Sequence, residues 1–189
     1  MELLELETDR LTLRAPGIAD VDHITRICQD GEISRFTTVP YPYRREDAAE
    51  FVHDVIPAGW ASGLDLSWGI YPKPESHLAG VVSLSGIRDG VAELGYWIDP
   101  HLRGRGLMTE AVARVVEFAL SGTPEGLGLR RIGWEAVSGN SASARVAMKA
   151  GFRWEGRRRG AALRHGIPYD LDFAGLLHTD DRDEPQTWP

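Results

Sequence analysis

The chain has 189 residues, of which 42% are hydrophobic and 26% charged, and its formal net charge is −7. This length suits one hydrophobic core, and the negative charge argues against a general nucleic-acid binder. Cys28 is the only cysteine, so no internal disulfide can form. An acidic N-terminus and the lack of an apolar run of about 18 residues argue against a signal peptide and a membrane span. We therefore expect a cytoplasmic protein that binds neither nucleic acid nor membrane.

The first third of the chain predicts a strand followed by two helices. Residues 8–14 alternate apolar and polar side chains, which is the period of a half-buried strand. Asp20 is placed to cap a helix over residues 21–28, whose apolar residues share one face. A second helix is expected over residues 45–60, and Pro57 is expected to end or kink it.

A meander of antiparallel strands is expected next. Three strand-like runs cover residues 66–71, 78–84 and 91–98. The connection at 72–76 contains two prolines and is typical of a turn, and Arg88-Asp89-Gly90 is a tight hairpin signal.

The second half of the chain alternates helices and strands. We predict a helix, a strand, a second helix and two final strands over residues 107–120, 129–137, 141–150, 152–158 and 169–177. Residues 178–189 are acidic, and we expect them to form a disordered tail. A single domain is therefore predicted over residues 1–177.

A glycine- and arginine-rich turn precedes the helix predicted at 107. Alternating glycines in Arg103-Gly104-Arg105-Gly106 allow the backbone to approach a ligand closely, and a helix start leaves N–H groups without intrahelical partners. Together they predict a phosphate or pyrophosphate site, although such turns are often only tight connections. A P-loop is excluded because no Gly-Lys-Ser or Gly-Lys-Thr follows, and the dinucleotide fingerprint lacks its third glycine.

A second motif opens the helix predicted at 141–150. Asn140 and Ser143 fall in its first turn, and Lys149 lies further along the same helix. The simpler interpretation is that Asn140 or Ser141 caps the free N–H groups. Capping does not explain why both motifs occur in this order.

In that order, the motifs resemble the GNAT superfamily of acyl-coenzyme A N-acyltransferases, in its ribosomal-protein N-terminal (Rim-type) acetyltransferase branch. The family's glutamate-to-Gly-Tyr-Trp strand is matched by residues 93–98. Its Gln/Arg-x-x-Gly-x-Gly/Ala turn is matched by Arg103, Gly106 and Met108, where Met108 replaces the small residue. A bulkier side chain there is tolerable if it points away from the cofactor.

Further motifs extend the resemblance over almost the whole chain. The family's Asn-x-x-Ser helix, which ends in Lys-x-Gly-Phe, is matched by residues 140–152. An opening Thr-Asp-Arg-Leu strand and a closing strand over 170–177 also fit. The resemblance therefore covers residues 6–177.

This resemblance implies the fold and the reaction. The fold would be α/β (α+β), with a mixed, mostly antiparallel sheet of about seven strands, splayed between strands 4 and 5, and about four helices. The reaction would move an acetyl group from acetyl-CoA to a primary amine by direct attack, with a protein or peptide N-terminal α-amine as acceptor. A small amine (aminoglycoside, polyamine or amino acid) and a non-catalytic acyl-CoA sensor are the alternatives. The chain would be a monomer or a homodimer.

The resemblance also assigns roles to residues. The acetyl-CoA-binding set is Trp97, Ile98, Arg103, Gly104, Arg105, Gly106, Leu107, Met108, Thr109, Asn140, Ser143 and Lys149. A backbone N–H of Trp97 or Ile98 would stabilise the developing oxyanion. Glu93 is the nearest candidate general base, and Ser143 would hydrogen-bond the departing thiolate. The alternatives are a solvent-facing position or a structural ion pair for Glu93 and a helix cap for Ser143.

Four residues are expected to bind the acceptor: Tyr41, Trp60, Glu93 and Asp170. In related proteins the early helices face the acceptor cleft, which is the reason for naming Tyr41 and Trp60. Asp170 would either bind the amine or pair with one of the arginines at 157–159. The six histidines have no metal-ligand spacing and there is one cysteine, so no metal site is expected.

Overall fold

One sheet of eight strands forms the centre of the molecule. The strands are β1 (Leu6–Glu7), β2 (Leu11–Arg14), β3 (Leu66–Pro72), β4 (Gly80–Arg88), β5 (Val91–Ile98), β6 (Arg131–Val137), β7 (Arg153–Arg164) and β8 (Ile167–Leu177). Their spatial order is β1-β2-β3-β4-β5-β6-β8-β7. Strands β5 and β6 are parallel, and the other neighbouring pairs are antiparallel.

The helices are α1 (Val21–Cys28), α2 (Gly31–Phe36), α3 (Arg45–Glu50), α4 (Ile56–Ser62), α5 (Leu107–Leu120) and α6 (Ser141–Lys149). A π-helical segment, Phe51–Val55, joins α3 to α4 without a break, so the six segments form five helices. The predicted mixed fold is confirmed, with one more strand and one more helix than expected. Within the described ranges, no helix is long and apolar enough to cross a membrane.

This computed structural model describes residues 2–74, 77–164, 166–182 and 184–189. Glu75 and Ser76 of the turn predicted at 72–76, His165, and Asp183 of the predicted tail lie outside the described residues. Helices cover both faces of the sheet. Helix α5 packs on one face, where Leu94 and Trp134 belong to the larger hydrophobic core. Helices α1 and α3 pack on the other face, against Tyr71 and Val81.

The strand predicted at 8–14 is a short hairpin in the structure. Strand β2 begins at Leu11, and residues 8–10 form the turn that connects it to β1. Thr8 closes this turn with its backbone and its side chain, since its N–H donates to the Leu11 carbonyl and its Oγ1 accepts from the Leu11 N–H, both at 2.9 Å. Because this hydroxyl competes for backbone hydrogen bonds, β2 begins three residues later than predicted.

Two further differences concern the early helices. Pro57 does not end its helix, because it sits in the first turn of α4, directly after the π-helical segment. The short helix α2 was not predicted. It begins at Asp30, whose Oδ1 accepts hydrogen bonds from the N–H groups of Glu32 and Ile33 at 3.1 Å.

The described part of the C-terminal segment packs against the domain. The ring of Trp188 lies 5.3 Å from that of Trp134 and 5.7 Å from that of Trp154. Arg153 also forms ion pairs with Asp180 and Glu184. Residue 177 therefore marks the end of the sheet, and chain packing continues beyond it.

Candidate functional site

The site is centred on a gap in the sheet. Strands β5 and β6 pair only from Val91 opposite Arg131 to Leu94 opposite Trp134. Beyond that point β5 stays paired with β4, and β6 stays paired with β8. The two strands therefore diverge, which is the predicted splay. A cleft of about 1290 Å³ includes this gap and extends to the glycine turn on one side and to the loop after α2 on the other.

The hydrogen-bond register decides which backbone groups of β5 face the gap. Asp99 donates its N–H to the Ala79 carbonyl at 2.8 Å, so it points towards β4. Backbone groups alternate between the two edges of a strand, so those of Trp97 also point towards β4 and those of Tyr96 and Ile98 point into the gap. Of the two predicted oxyanion donors, Ile98 has the required direction. Trp97 lines the cleft without offering its N–H.

The glycine turn presents a row of free backbone donors. Gly104 and Gly106 have φ values of 76° and 77°, a left-handed conformation that favours glycine. In the part of the chain that the structure describes, the N–H groups of residues 104–109 donate to no protein acceptor. The next N–H, that of Glu110, begins the helical pattern by donating to the Gly106 carbonyl. The N–H of Arg103 is excluded from the row because it donates to the Pro100 carbonyl at 3.4 Å.

Three side chains of this turn, those of Arg103, Leu107 and Met108, are engaged in contacts with the rest of the protein. Met108 is 6% exposed and belongs to the hydrophobic core, as does Leu107. A long apolar side chain is therefore accommodated at the position where the family has a small residue. The Arg103 guanidinium contacts Asp30 at 3.0 Å and Glu32 at 2.6 Å. The Arg103 side chain is therefore bound to the start of α2, and the groups of this turn that remain available to a ligand are mainly its backbone N–H groups.

Helix α6 forms the opposite wall of the cofactor side. Asn140 is its N-cap, because Oδ1 accepts the Ser143 N–H at 3.2 Å. Asn140 therefore both caps the helix and lines the cleft. Lys149 also lines it, together with Arg145, which lies four residues earlier and was not predicted. Both basic side chains are exposed, and this spacing places them on the same helix face.

Ser143 belongs to a hydrogen-bonded cluster inside the gap. Its Oγ donates to the Tyr96 hydroxyl oxygen at 3.0 Å and accepts from Trp134 Nε1 at 3.2 Å. Trp134 Nε1 also lies 3.0 Å from that hydroxyl, which donates to the Ser143 carbonyl at 2.9 Å. Burial raises the pKa of Tyr96, and the bonds from Ser143 and Trp134 oppose this only in part. The phenol is therefore neutral at physiological pH.

Glu93 lies over a glycine of the next strand. A Cβ on Gly133 would overlap the Glu93 carboxyl group, so this side chain can lie across β6 only because residue 133 is glycine. Desolvation and the neighbouring Glu135 raise the pKa of Glu93, while Arg131 opposes the shift. The carboxyl group remains accessible to solvent and lines the cleft. Glu135 lines it too and was missed, because an isolated glutamate in a strand carries no local signal.

Three predicted acceptor-binding residues lie elsewhere. Trp60 is 1% exposed, packs against Trp68 and donates its indole N–H to the Ser67 carbonyl, so it is part of the core. Tyr41 is 59% exposed and does not line the cleft. Asp170 accepts the Gly160 N–H at 2.8 Å, also away from the cleft.

The expected pairing with an arginine of the 157–159 run is made by a different aspartate. Asp172, not Asp170, accepts from Arg157, at 2.5 Å. The aromatic residue that lines the acceptor side near the predicted Tyr41 is Tyr43, which is 7% exposed. At this part of the cleft the lining is formed by Tyr43 and not by the predicted Tyr41.

Comparisons with known proteins agree with this geometry. The Acetyltransferase (GNAT) domain family matches residues 10–153. The uncharacterized N-acetyltransferase YoaA of Bacillus subtilis (strain 168) is 30% identical over 91% of this chain and 96% of its own length. A ribosomal-protein-serine acetyltransferase of Escherichia coli (strain K12) is 34% identical over 43% of this chain and 45% of its own length.

Solved structures show the same fold. A RimL ribosomal L7/L12 α-N-protein acetyltransferase in complex with coenzyme A has a TM-score of 0.80 and 20% identity, with 93% of this chain and 98% of that chain covered. At this identity the likeness concerns the fold alone. From the family match, from YoaA and from the splayed sheet, we conclude that this chain belongs to the GNAT family of N-acetyltransferases.

Proposed function

We propose that this protein transfers the acetyl group of acetyl-CoA to the N-terminal α-amine of a protein or peptide. The observation that carries the proposal is the row of six N–H groups at residues 104–109, which lead into a 14-residue helix beside the gap in the sheet. Such groups bind phosphate oxygens through hydrogen bonds and through the positive end of the helix dipole.

The residues of the cleft fit coenzyme A along its length. The pyrophosphate would contact the backbone of residues 104–109, and Arg145 and Lys149 would contact a further phosphate. The pantetheine amides would pair with the free edge of β5 at Ile98. The Oδ1 of Asn140 accepts the helix-capping hydrogen bond, whereas its Nδ2 has no protein acceptor among the described residues. That amide group would therefore be available to a pantetheine carbonyl. When bound, acetyl-CoA supplies the thioester that the amine attacks.

Glu93 is the group that would accept the proton of the incoming amine. An amine at neutral pH carries a proton that it must lose before it attacks. The raised pKa of Glu93 makes this carboxylate a stronger base than an ordinary glutamate, and its exposure to the cleft allows contact with the amine or with a water molecule. We also assign the Ile98 N–H as the donor to the negative charge that develops on the carbonyl oxygen.

Ser143 is the group that would hydrogen-bond the departing thiolate. Its hydroxyl lies in the gap, and Tyr96 and Trp134 fix its position. The Tyr96 phenol stays neutral and keeps its own proton, so the Ser143 hydroxyl keeps its hydrogen and can donate it in a hydrogen bond to the sulfur. The Ser143 hydroxyl must turn from Tyr96 to the sulfur to act in this way.

Two arguments support a peptide N-terminus as the acceptor. The relatives include proteins named as ribosomal-protein acetyltransferases, which act on protein amines. In addition, Glu50, Glu93 and Glu135 line the cleft and form no ion pair among the described residues. Uncompensated carboxylates attract a protonated amine.

A thiol-release assay with acetyl-CoA tests the proposal. The acceptors would be peptides that begin with Ser or Ala, the same peptides with a blocked N-terminus, and a panel of small amines. We expect release only with free peptide N-termini. Release with a small amine and none with any peptide would overturn the peptide acceptor. Binding of coenzyme A without release from any acceptor would overturn the transferase activity.

A further inference from the structure

The turn between β1 and β2 contacts the start of α5, about one hundred residues later in the chain. Thr8 Oγ1 donates to Glu110 Oε1 at 2.6 Å, and the Arg10 N–H donates to the same oxygen at 3.2 Å. The Arg10 guanidinium holds the other oxygen, with Nε 2.6 Å from Oε2. Glu110 thus accepts three hydrogen bonds from a turn of three residues. Burial opposes ionisation of Glu110, but these bonds keep its pKa below the usual range.

Arg10 also reaches the glycine turn directly. Its Nη1 donates to the Arg105 carbonyl at 3.2 Å, so one guanidinium links the start of α5 to the turn that precedes it. The planar, forked shape of a guanidinium allows both contacts at once. Its Nη2 would also lie 3.5 Å from a Cβ on Gly106, which is ordinary contact distance.

The Arg105 carbonyl controls the direction of a donor in the row at 104–109. The peptide bond between Arg105 and Gly106 is trans, so the carbonyl and the Gly106 N–H point in opposite directions. A carbonyl held towards Arg10 therefore turns the Gly106 N–H away from Arg10. This peptide unit rotates about ψ of Arg105 and φ of Gly106, and the glycine gives little resistance to that rotation. An external hydrogen bond is thus what fixes its orientation.

We infer that Arg10 is a positioning residue for the acyl-CoA site: it fixes the Arg105 peptide unit, and Glu110 and Thr8 hold Arg10 in place. The inference rests on the coenzyme A site of the proposed function and is independent of the acceptor. Arg10 acts through the backbone, because Glu110 neutralises its charge. The role therefore depends on the shape of the side chain as well as on its charge.

The chain offers a matched control in Arg114. This arginine also connects α5 to β1, since its Nε donates to the Glu7 carbonyl at 3.2 Å, but it makes no contact with the glycine turn. Arg10→Gln and Arg114→Gln each remove one positive charge and a link between the β1–β2 hairpin and α5, but only Arg10→Gln also removes the contact with the Arg105 carbonyl. Arg10→Lys keeps the charge and removes the fork.

The experiment measures the Kd for coenzyme A by titration calorimetry and the unfolding temperature of each variant. We expect Arg10→Gln to weaken binding about tenfold, Arg10→Lys to restore only part of the affinity, and Arg114→Gln to bind like the wild type. The unfolding temperature of Arg10→Gln should fall more than that of Arg114→Gln, because Arg10 contacts both Glu110 and the Arg105 carbonyl and Arg114 donates to the Glu7 carbonyl alone within the hairpin.

Two results would overturn the inference. Equal affinities for Arg10→Gln and Arg114→Gln would show that the contact with the Arg105 carbonyl has no effect on the site. Full affinity in Arg10→Lys would show that charge alone matters. Failure of the proposed function is a separate result: a wild-type protein that binds coenzyme A but transfers no acetyl group contradicts the reaction and leaves the positioning role intact. Absence of coenzyme A binding contradicts both.

Discussion

Substitution of Ser143 by Ala separates a catalytic hydroxyl from a structural one. The hydroxyl has two protein partners, and neither is left unsatisfied in the variant, because Trp134 Nε1 keeps its bond of 3.0 Å to the Tyr96 hydroxyl. The variant loses two hydrogen bonds, one of them from a donor that Tyr96 also shares, and the cost is about 1 kcal/mol of unfolding free energy. For a chain of this length that corresponds to a fall in unfolding temperature of roughly 2–4 °C.

The expected effect on turnover is much larger. If Ser143 stabilises the departing thiolate, its loss should lower kcat about 100-fold, while the KM for acetyl-CoA changes little. Steady-state thiol release at saturating acetyl-CoA measures kcat, and calorimetry with coenzyme A measures cofactor affinity. Ser121→Ala is the control, since this serine donates a comparable bond of 2.7 Å to the Glu117 carbonyl outside the cleft. An unchanged kcat in Ser143→Ala would refute the role and leave Ser143 as a structural residue.

A companion substitution, Tyr96→Phe, tests the cluster around Ser143. It removes the donor to the Ser143 carbonyl, which fixes the start of α6 against β5, and should lower kcat roughly tenfold because Ser143 is then held less precisely. Groups that act together are not additive, so the double variant should be no slower than Ser143→Ala alone. A double variant whose kcat falls by the product of the two single effects would show that Tyr96 acts independently of Ser143.

The remaining predictions concern charge and packing. Glu135→Gln removes a negative neighbour of Glu93, so the pKa of Glu93 should fall and the acid limb of the kcat/KM profile should move to lower pH; the exposed Glu125→Gln should leave that limb in place. We also expect the wild type to prefer peptides with Lys over Glu at the second position, because Glu50, Glu93 and Glu135 line the cleft, and Glu135→Gln to reduce this preference. Equal discrimination by the wild type and the variant would contradict a role of these carboxylates in acceptor binding. Trp188→Ala removes the ring packed against Trp134 and should lower the unfolding free energy by about 1–3 kcal/mol in denaturant titrations. An unaltered midpoint would show that the C-terminal packing has no effect on stability.

Local sequence signals were sufficient for most of the fold. The apolar spacing over 107–120 predicts α5 with its observed ends, because a helix that buries one face must repeat apolar residues at that spacing. The alternating runs likewise predict β3, β4 and β5. Errors occurred where a polar side chain competes with the backbone: the turn that Thr8 closes delays the start of β2 to Leu11, and Asp30 caps a short helix that has no other local signal.

The candidate site was only partly predictable, because long-range contacts have no local signature. Ser143 and the turn residues Gly104 and 106–109 line one cleft, whereas Arg105, which was also predicted to bind the cofactor, does not line it. Tyr96 was visible as a motif residue, but its bond to Ser143 spans 47 positions and depends on how β5 and α6 meet. Trp60 shows the opposite error, because it was predicted to lie in the site and lies in the core. A large aromatic residue on an early helix is compatible with either place, and only the tertiary packing determines which one it occupies.

Arg103 occupies a position of the family motif, but its side chain forms ion pairs within the protein and is not free to contact a ligand. Its guanidinium binds Asp30 and Glu32 at the start of α2, and Arg26 of α1 binds Asp99 at 2.8 Å, just before the same turn. Asp99 is buried and caps the 3₁₀ turn that follows it. Both ends of the segment from Asp99 to Arg103 are therefore attached to α1 and α2. Since a charge-assisted pair resists separation more than a neutral hydrogen bond does, we expect a shift of α2 to move the glycine turn with it.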